Sequence, residues 1–529
     1  MRTLLRHKCS LLFAASFLFV LTINTPPAAA QECCEVNADP NTATNPQAGE
    51  TLGRSVAVDG GTAVAGAPGF DRSIGEDDFP DAGRAIVFTF NVGNQTWEVQ
   101  DTLFAEFAEE QAYFGYSVAI SGDVALIGAY RQDNGPFDWA GAAYIFERDG
   151  GNWNQTAKLT PSDPGHPHQF GWSVAISGDV VVIGALLAGV NNHGAAYVWV
   201  KPAGGWGDAD GEDQDAKLTA SDGMLLDTFG RSVSIGGDVI VVGAPNTAAD
   251  EGTVYVFNKP PSGWANANED LTLTASDSEG GIVFGWSVSI DGDLIVIGAP
   301  LQDSDPEDND EGAAYVFRFD SVDSWPEEQI LSACDPLAHD QFGTSVSISG
   351  EVVVVGAIQP VGFPSGNGRA DAFGYFGTGW ARLNLLTASD AGSDDRFGSS
   401  VSISGGRAVV GAFGWDINSA EGAMYGFNGL DAAVACNCPW DLDGDGNVGV
   451  SDFLALLGAW GTCPDPPVEC PADFDGDGSV GVSDLLALLA NWGPCVNEAI
   501  PLRNAQDCID KFYPDEMDAL IACIEAVSQ

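Results

Sequence analysis

Two short stretches near the C-terminus combine the residue types and the spacing of a calcium-binding loop. In each stretch three aspartates alternate with other residues, a glycine follows at a sharp turn, and a fourth aspartate closes the pattern. Carboxylate and carbonyl oxygens at this spacing can surround one Ca²⁺ ion with six or more hard ligands. The predicted ligands are Asp441, Asp443, Asp445, Asn447 and Asp452 in the first loop, and Asp473, Asp475, Asp477, Ser479 and Asp484 in the second.

The two loops belong to one duplicated unit. Residues 438–463 and 470–495 are identical at 19 of 26 positions. Each loop is followed by an apolar stretch, SDFLALLGAW or SDLLALLANW, which predicts one amphipathic helix. Residues 436–495 include ten acidic side chains and no Lys or Arg, so the carboxylates repel one another unless cations bind. We therefore expect two Ca²⁺ ions in this segment.

A loop with only its outgoing helix is half of an EF-hand, and two such halves in sequence resemble type I dockerin. The resemblance implies a cohesin-like partner on a scaffold or surface protein. It assigns recognition of that partner to positions 10 and 11 of the loops, which are Val450, Ser451, Val482 and Ser483.

Cysteines flank both copies of the unit. Their equal spacing predicts the disulfides Cys438–Cys463 and Cys470–Cys495, and a third, Cys508–Cys523, would staple a short helical tail. Ten cysteines remain after removal of a leader, which is consistent with an oxidising compartment. The pairing of four others stays open, namely Cys33, Cys34, Cys334 and Cys436.

A longer repeat occupies the chain from residue 52 to about 430. Its core reads FGWSVSIDGDLIVIGAP in the fifth copy, and the seven copies begin 55 to 62 residues apart. The alternating S-V-x-I-S, a tight turn and an unbroken apolar run predict two strands, and the GAAYVF and W…LTASD segments predict two more. Strands that are apolar on both faces suit sheets packed between neighbouring sheets. We predict a mainly β fold, a seven-bladed β-propeller, followed by a small α-helical calcium-binding domain of the dockerin-like type.

The repeated residues resemble the FG-GAP repeat of integrin alpha-chain propellers. That family often binds Ca²⁺ through DxDxDG loops, but the matching turn has too few oxygens, as at Asp291-Gly292-Asp293, so no Ca²⁺ site is expected there. The repeated serine lacks the G-x-S-x-G elbow of a nucleophile and occurs seven times, which predicts a structural role. His166 and His168, and the acidic stretches 208–215 and 303–310, are predicted to be loops and not metal sites.

The predicted organisation has four parts. Residues 1–30 have the charge, apolar run and Ala28-Ala29-Ala30 ending of a cleaved signal peptide, so the protein is expected outside the cell. The propeller is predicted over 31–435, the dockerin-like domain over 436–495 and the tail over 496–529. The seventh repeat lacks a fourth strand, and Glu32–Asp39 is predicted to supply it and close the ring.

The charge balance limits the partners. With 75 acidic and 20 basic residues, the formal net charge is −55, which excludes nucleic acids and anionic membranes as main partners. The sequence therefore favours a secreted, non-catalytic propeller that binds a ligand or presents a rigid surface, and that docks onto a cohesin-like partner. Two alternatives stay open: an extracellular polysaccharide-degrading enzyme and a cell-adhesion protein.

Overall fold

The structure is a computed structural model of the chain. It describes residues 35–494 apart from positions 39, 44–45, 76, 248–250, 278–280, 303–309, 321–323, 334–338, 359–366, 377–378, 393–394, 415–420, 431–446, 449, 463–471, 473–478 and 491–492. Seven of the described sheets each contain four antiparallel strands, and two of these seven have a fifth strand that pairs in parallel. The inner strand of every sheet contacts the inner strands of both neighbours, so the sheets form a closed ring. The predicted seven-bladed β-propeller is confirmed.

Each blade is listed from its inner to its outer strand. Blade 1 contains Ser55–Asp59, Thr62–Ala67, Arg84–Asn91 and Thr96–Leu103; blade 2 contains Ser117–Ser121, Val124–Ala129, Ala142–Asp149 and Asn152–Leu159; blade 3 contains Phe170–Ser177, Val180–Ala185, Ala195–Val200 and Ala216–Thr219; blade 4 contains Ser232–Gly236, Val239–Ala244, Thr253–Asn258 and Leu271–Leu273. Blade 5 contains Ser287–Asp291, Leu294–Ala299, Ala313–Arg318 and Glu327–Leu331; blade 6 contains Ser345–Ser349, Val352–Ala357, Arg369–Tyr375 and Trp380–Ala388; blade 7 contains Phe397–Ser404, Arg407–Ala412, Ala423–Asn428 and Pro40–Asn41. Between strands lie a small hairpin, Arg72–Ile74 with Asp77–Phe79, and two 3-10 turns, Val190–Asn192 and Trp206–Ala209.

The hydrophobic core lies between the blades. The second strand of a blade is buried along its length, as in Leu294–Ala299, because each of its faces packs on a different neighbour. The repeated phenylalanine fills the space beside it. Phe284 is fully buried and meets Tyr315 and Phe317 edge-on, with ring centroids 5.3 and 6.1 Å apart. The same edge-on pair of contacts recurs at Phe114, Phe170, Phe229 and Phe397.

The repeated serine and glycine join neighbouring blades. Ser287 Oγ donates a hydrogen bond of 2.8 Å to the carbonyl oxygen of Gly343 in the next blade. The equivalent bond joins every blade to the next one, at 2.8 to 3.0 Å. Only glycine permits this approach, since a Cβ on Gly298 would clash with the same Gly343 carbonyl. The serines therefore have the structural role that the sequence predicts.

The ring closes between blades 7 and 1. Ser400 Oγ donates a 3.0 Å hydrogen bond to the carbonyl oxygen of Gly53, although the two residues are 347 positions apart. Leu52 also forms a parallel bridge with Gly422. These contacts repeat, across the closure, the contacts that join the other blades.

The N-terminal segment covers two sheet edges. Pro40–Asn41 is the fourth strand of blade 7, and Asn41 Nδ2 donates a 3.1 Å hydrogen bond to the Met424 carbonyl oxygen. The predicted closing strand, Glu32–Asp39, is therefore wrong in position. Glu35–Ala38 instead pairs in parallel with the outer strand of blade 6, because that edge was also open to pairing.

A second strand segment also joins a different blade from the expected one. The sequence predicts residues 264–277 as the outer strand of blade 4, but only Leu271–Leu273 pairs there. Ala267–Asn268 pairs in parallel with the outer strand of blade 3. Polar side chains direct this pairing, since Asn266 Oδ1 accepts a 2.7 Å hydrogen bond from the Lys217 backbone N–H.

The described C-terminal segment contains two helices that contact each other, α1 (Val450–Gly458) and α2 (Val482–Ala490). Four two-residue strands surround them. Asn447–Val448, before α1, pairs with Gly493–Pro494, after α2, and Gly461–Thr462, after α1, pairs with Ser479–Val480, before α2. The two copies of the duplicated unit are thus paired reciprocally. Among the described residues no helix is long and apolar enough to cross a membrane.

Candidate functional site

One position of the repeat varies while its neighbours are constant, and this position lines the mouth of the central channel. It is the x of F-G-x-S, at the start of each inner strand. The seven residues there are Arg54, Tyr116, Trp172, Arg231, Trp286, Thr344 and Ser399. Together with Ile358 and Phe413 they line a cavity of about 370 Å³, which we call the pore mouth.

The framework explains why these side chains converge. The flanking residue, Leu52 in blade 1 and phenylalanine in the other six blades, is buried between blades, and the following serine is bonded to the next blade. The residue between them is therefore held at a fixed place near the axis whatever its type. The ring of inner strands brings seven such positions together, and the mouth's chemistry depends on which side chains occupy them.

Aromatic rings form one wall of the pore mouth. The ring centroids of Tyr116 and Trp172 are 4.8 Å apart. Tyr130, which follows the second strand of blade 2, packs 4.4 Å from Tyr116 and 5.0 Å from Trp172. Such clusters present apolar faces together with a polar edge, which is typical of ligand-binding pockets.

Two arginines complete the mouth. The guanidinium of Arg231 lies 3.6 Å from the Trp286 ring centroid and 5.3 Å from that of Trp172. Arg54 lies 4.5 Å from the Tyr116 centroid and donates a 2.8 Å hydrogen bond from Nη2 to the Tyr116 hydroxyl. Within the described part of the chain neither arginine forms an ion pair. Both cations are held by aromatic faces instead of carboxylates.

The environment of Arg231 disfavours its charge. Burial is the main cause that lowers the pKa of Arg231, to about 10; Tyr116 acts in the opposite direction, and the nearby positive charge of Arg54 acts in the same direction as burial. The Nε atom of Arg231 is buried without a hydrogen-bond partner in the described structure. At neutral pH Arg231 is still a cation, and it lacks the anion that would stabilise it.

Exposed aromatic residues continue from the mouth to the rim of blade 2. The Arg131 guanidinium lies 5.4 Å from the Tyr130 ring centroid and 4.7 Å from that of Trp139. Trp139 and Phe137 are 39% and 37% exposed, which is unusual for such large apolar side chains. A ligand longer than the mouth could therefore contact this rim.

A pair of carboxyl groups lies beside the rim. The Asp133 backbone N–H donates a 3.2 Å hydrogen bond to Glu109 Oε1, and Asp133 Oδ1 accepts one of 2.9 Å from the Trp139 backbone N–H. Burial, together with the nearby Asp133 carboxylate, raises the pKa of Glu109 to about 7. Glu109 therefore retains a proton under conditions in which exposed glutamates have lost theirs.

The sequence-predicted calcium loops lie mostly outside the described residues, as do all the cysteines of the predicted disulfides. Of the predicted ligands, Asn447 lies in a strand, Asp452 in α1 and Ser479 in a strand. Asp484 is in the first turn of α2, is 1% exposed, and accepts a 2.7 Å hydrogen bond from the Gly481 backbone N–H. A carboxylate there stabilises the N-terminus of the helix.

The predicted partner-binding residues lie at the helix N-termini. Val450 and Ser451 begin α1, and Val482 and Ser483 begin α2, where both are exposed. The structure thus places equivalent residues of the two copies at equivalent positions.

The other polar features of the sequence form loop contacts. His166 Nδ1 lies 2.6 Å from the Asp138 carbonyl oxygen, and Asp215 Oδ2 accepts a 2.7 Å hydrogen bond from the Val200 backbone N–H. Residues 303–309 of the second acidic stretch are outside the described residues. No group of three or more metal-binding side chains occurs among the residues that the structure describes.

The pore-mouth residues were missed by the sequence reasoning. A signal was available, since the x of F-G-x-S changes between arginine, aromatic and hydroxyl residues while its neighbours repeat. This variation indicates a binding site only if the blades form a closed ring, because the ring brings together x-position residues that are up to 345 positions apart in the chain.

The chain belongs to the FG-GAP repeat family. The family profile matches six segments, residues 97–146, 153–199, 213–257, 268–317, 325–373 and 380–427, which together cover more than half of the chain. Each segment extends from the outer strand of one blade to the third strand of the next. The resemblance drawn from the repeated residues is therefore confirmed.

Comparison with solved structures gives only distant matches. Sqt1 of Saccharomyces cerevisiae is 11% identical with a TM-score of 0.41, and the match covers 75% of this chain and 99% of that one. A candidate 6-phosphogluconolactonase of Bacteroides uniformis is 12% identical with the same TM-score, covering 67% of this chain and 90% of that one. Comparison with curated proteins gives no match. These likenesses carry no functional argument.

Proposed function

We propose that the protein is a secreted, non-catalytic binding protein whose propeller binds an extracellular ligand at the pore mouth. One observation carries this proposal: the Gly before the x position and the Ser after it are the same in all seven copies, whereas the x position, which lines the mouth, varies and holds an aromatic or arginine side chain in five of the seven blades. Concave sites lined by aromatic rings and a few polar groups are typical of ligand binding. A purely structural ring would gain nothing from half-buried arginines without carboxylate partners.

The C-terminal unit supplies the attachment in this proposal. Its duplicated acidic loops bind two Ca²⁺ ions, and its helix N-termini, with Val450, Ser451, Val482 and Ser483, recognise a cohesin-like partner on a scaffold or surface protein. The reciprocal pairing of the two copies supports a single folded unit with internal symmetry. Export through the N-terminal signal peptide predicts Gln31 as the first residue of the mature protein.

A screen of the purified full-length protein tests the binding function. Polysaccharides and extracellular proteins are titrated against the wild type, Trp172→Ala, Trp286→Ala and a control, Val92→Ala, whose side chain is 68% exposed in a turn of blade 1. We expect at least one ligand whose affinity falls more than tenfold in both tryptophan variants and stays unchanged in the control. Ligands that bind equally to all four proteins would contradict a pore-mouth site.

A second candidate function, a polysaccharide-degrading enzyme, is favoured by the Glu109–Asp133 pair. A protonated carboxyl group beside a second carboxylate is what general acid catalysis of glycoside cleavage requires. Its position beside exposed Trp139 would place it next to a sugar chain on the rim. The enzymatic function would be established if the wild type releases reducing ends, Glu109→Gln does not, and Glu110→Gln still does. If the wild type releases no reducing ends from any polysaccharide that it binds, the proposal of a non-catalytic binding protein is retained.

A further inference from the structure

We propose that the ligand of the pore mouth is an anionic sugar ring, one that carries a carboxylate or a sulfate group. This inference rests on the proposed binding function and specifies its ligand. In the bound state Arg54 and Arg231 hold the anionic group, and the rings of Tyr116, Trp172 and Trp286 pack on the apolar face of the sugar.

The charge distribution is the first argument. The protein has 75 acidic residues for 20 basic ones, so a carboxylate partner is available to most cations. Five of the eleven described arginines form an ion pair, as Arg84 does with Glu50 at 2.5 Å, and six do not. Arg54 and Arg231 form no ion pair in the described structure, although both line a cavity. In so acidic a chain, two cations without carboxylate neighbours at one site point to an anion that comes from outside.

The orientation of the two arginines is the second argument. Both lie against aromatic rings that fix them at the mouth, and the pKa of Arg231 is lowered mainly by burial and also by repulsion from the positive charge of Arg54. A bound anion would remove this repulsion and give the buried Nε atom of Arg231 a hydrogen-bond acceptor. Guanidinium groups suit carboxylate and sulfate because their donors match two oxygens at once.

The size and walls of the cavity are the third argument. A volume of about 370 Å³ lies at the lower end of the range for small-molecule pockets, roughly 300–1,000 Å³. Four aromatic residues line it, and flat apolar faces pack well on the C–H faces of sugar rings. The mouth therefore fits a short acidic saccharide, with further sugar units reaching Trp139 at the rim.

The net charge of the protein imposes a condition on binding. An overall charge of −55 repels polyanions at long range, whereas the two arginines attract them at short range. The Debye length is about 8 Å at 0.15 M salt and about 30 Å at 0.01 M. Binding of an acidic oligosaccharide should therefore strengthen between 0.01 M and 0.15 M salt, opposite to the behaviour of a uniformly basic surface.

Calorimetry with matched saccharides tests the proposal. The probes are a trigalacturonate, its methyl ester, which has the same backbone without charge, and a sulfated disaccharide. The full chain is titrated in 0.15 M salt with chelator, so that Ca²⁺ cannot bridge ligand and protein. We expect an acidic probe to bind at least tenfold more tightly than the ester. Tight binding of either the trigalacturonate or the sulfated disaccharide supports the inference. Comparison of these two probes shows whether the preferred anionic group is a carboxylate or a sulfate.

Matched variants assign the effect to the mouth. Arg231→Gln and Arg54→Gln should each lower affinity for the acidic probe at least tenfold. The control is Arg407→Gln, which also removes a cation stacked on an aromatic ring, Phe90 at 4.8 Å, but at the other end of the blade. Its affinity should stay within twofold of the wild type. If Arg231→Gln does not fold, Arg54→Gln carries the test, since Arg54 is only half-buried.

The outcomes separate this inference from the proposed function. If the acidic probe and its ester bind equally tightly and Trp172→Ala abolishes both interactions, the inference of an anionic ligand is wrong. The proposed pore-mouth site is then retained. No binding of any acidic probe would also overturn it, and a neutral ligand found by the wider screen would preserve the binding function. If no ligand of that screen depends on Trp172 or Trp286, both proposals fail.

Discussion

Arg231 and Trp286 occupy the same position in consecutive repeats, and the guanidinium of the first lies 3.6 Å from the ring centroid of the second. The two residues are 55 positions apart in the chain, yet the inner strands place them side by side. The ring contacts of the two mouth arginines are therefore made between neighbouring blades. A change in one repeat alters a pair interaction at the axis without disturbing the framework.

The inter-blade serine bond should contribute measurably to stability. Ser232→Ala removes the 2.8 Å hydrogen bond to the Gly285 carbonyl oxygen and leaves that buried oxygen without this donor. We expect a loss of about 1–2 kcal/mol in the free energy of unfolding. Urea denaturation measures it, with Ser73→Ala as the control, because the Ser73 hydroxyl bonds to Asp78 on an exposed hairpin. An equal effect of both changes would contradict the assigned role of the repeated serine.

The N-terminal segment should stabilise the ring. Deleting residues 31–41 removes the outer strand of blade 7 and the parallel strand on blade 6, which exposes two sheet edges. We expect the thermal unfolding midpoint to fall by several degrees. Deleting 496–529, which follows the repeat region in the sequence, is the control. An unchanged midpoint after the first deletion would show that the ring closes through other contacts.

Calcium binding should be confined to the C-terminal unit. Calorimetry of the full chain should detect two bound Ca²⁺ ions, and Asp441→Ala combined with Asp473→Ala should abolish both, because the first loop position is a carboxylate ligand. Asp465→Ala, which removes an acidic residue between the loops, is the control. The propeller's unfolding transition should be the same in all three proteins. A wild type that binds no Ca²⁺ would refute the dockerin-like assignment.

Glu109 should make stability pH-dependent. Its pKa is about 7 in the folded protein and near 4.5 in the unfolded chain, so the folded state holds the proton more tightly. Stability should therefore decrease as the pH rises from about 4.5 through 7. Because Glu109 is partly exposed, the loss should be on the order of 1 kcal/mol. Urea titrations at pH 5 and pH 8 measure this difference in the free energy of unfolding. Glu109→Gln should remove the difference that Glu109 causes, and Glu110→Gln, at an exposed position, should not. Identical pH profiles for all three proteins would contradict the raised pKa.

The repeated residues predict most of the propeller, because each has a local role that recurs. The serine and glycine of every copy make the same bonds between blades, and the phenylalanine fills the same gap in six of the seven copies, with Leu52 in the first. Ala267–Asn268 and Glu35–Ala38 could not be assigned in this way. Their pairing depends on which neighbouring edge is open, and that is a property of the assembled ring.

The candidate site was hidden for a related reason. When the sequences of the seven copies are aligned, a position that varies looks like a surface position at which any residue type is tolerated. Arg54 and Ser399 lie at opposite ends of the repeat region, and only the ring places them at one cavity. The predicted calcium loops could be proposed from the sequence because their candidate ligands are close together in the chain.

Fluorine NMR of the full chain labelled with fluorotryptophan tests the pore-mouth site most directly. The protein has 14 tryptophans, and single replacements by phenylalanine assign the resonances of Trp172, Trp286 and the fully buried Trp206. On addition of the acidic trisaccharide the signals of Trp172 and Trp286 should shift in proportion to saturation, and that of Trp206 should stay in place. Saturable binding that leaves both mouth signals unchanged would contradict the account.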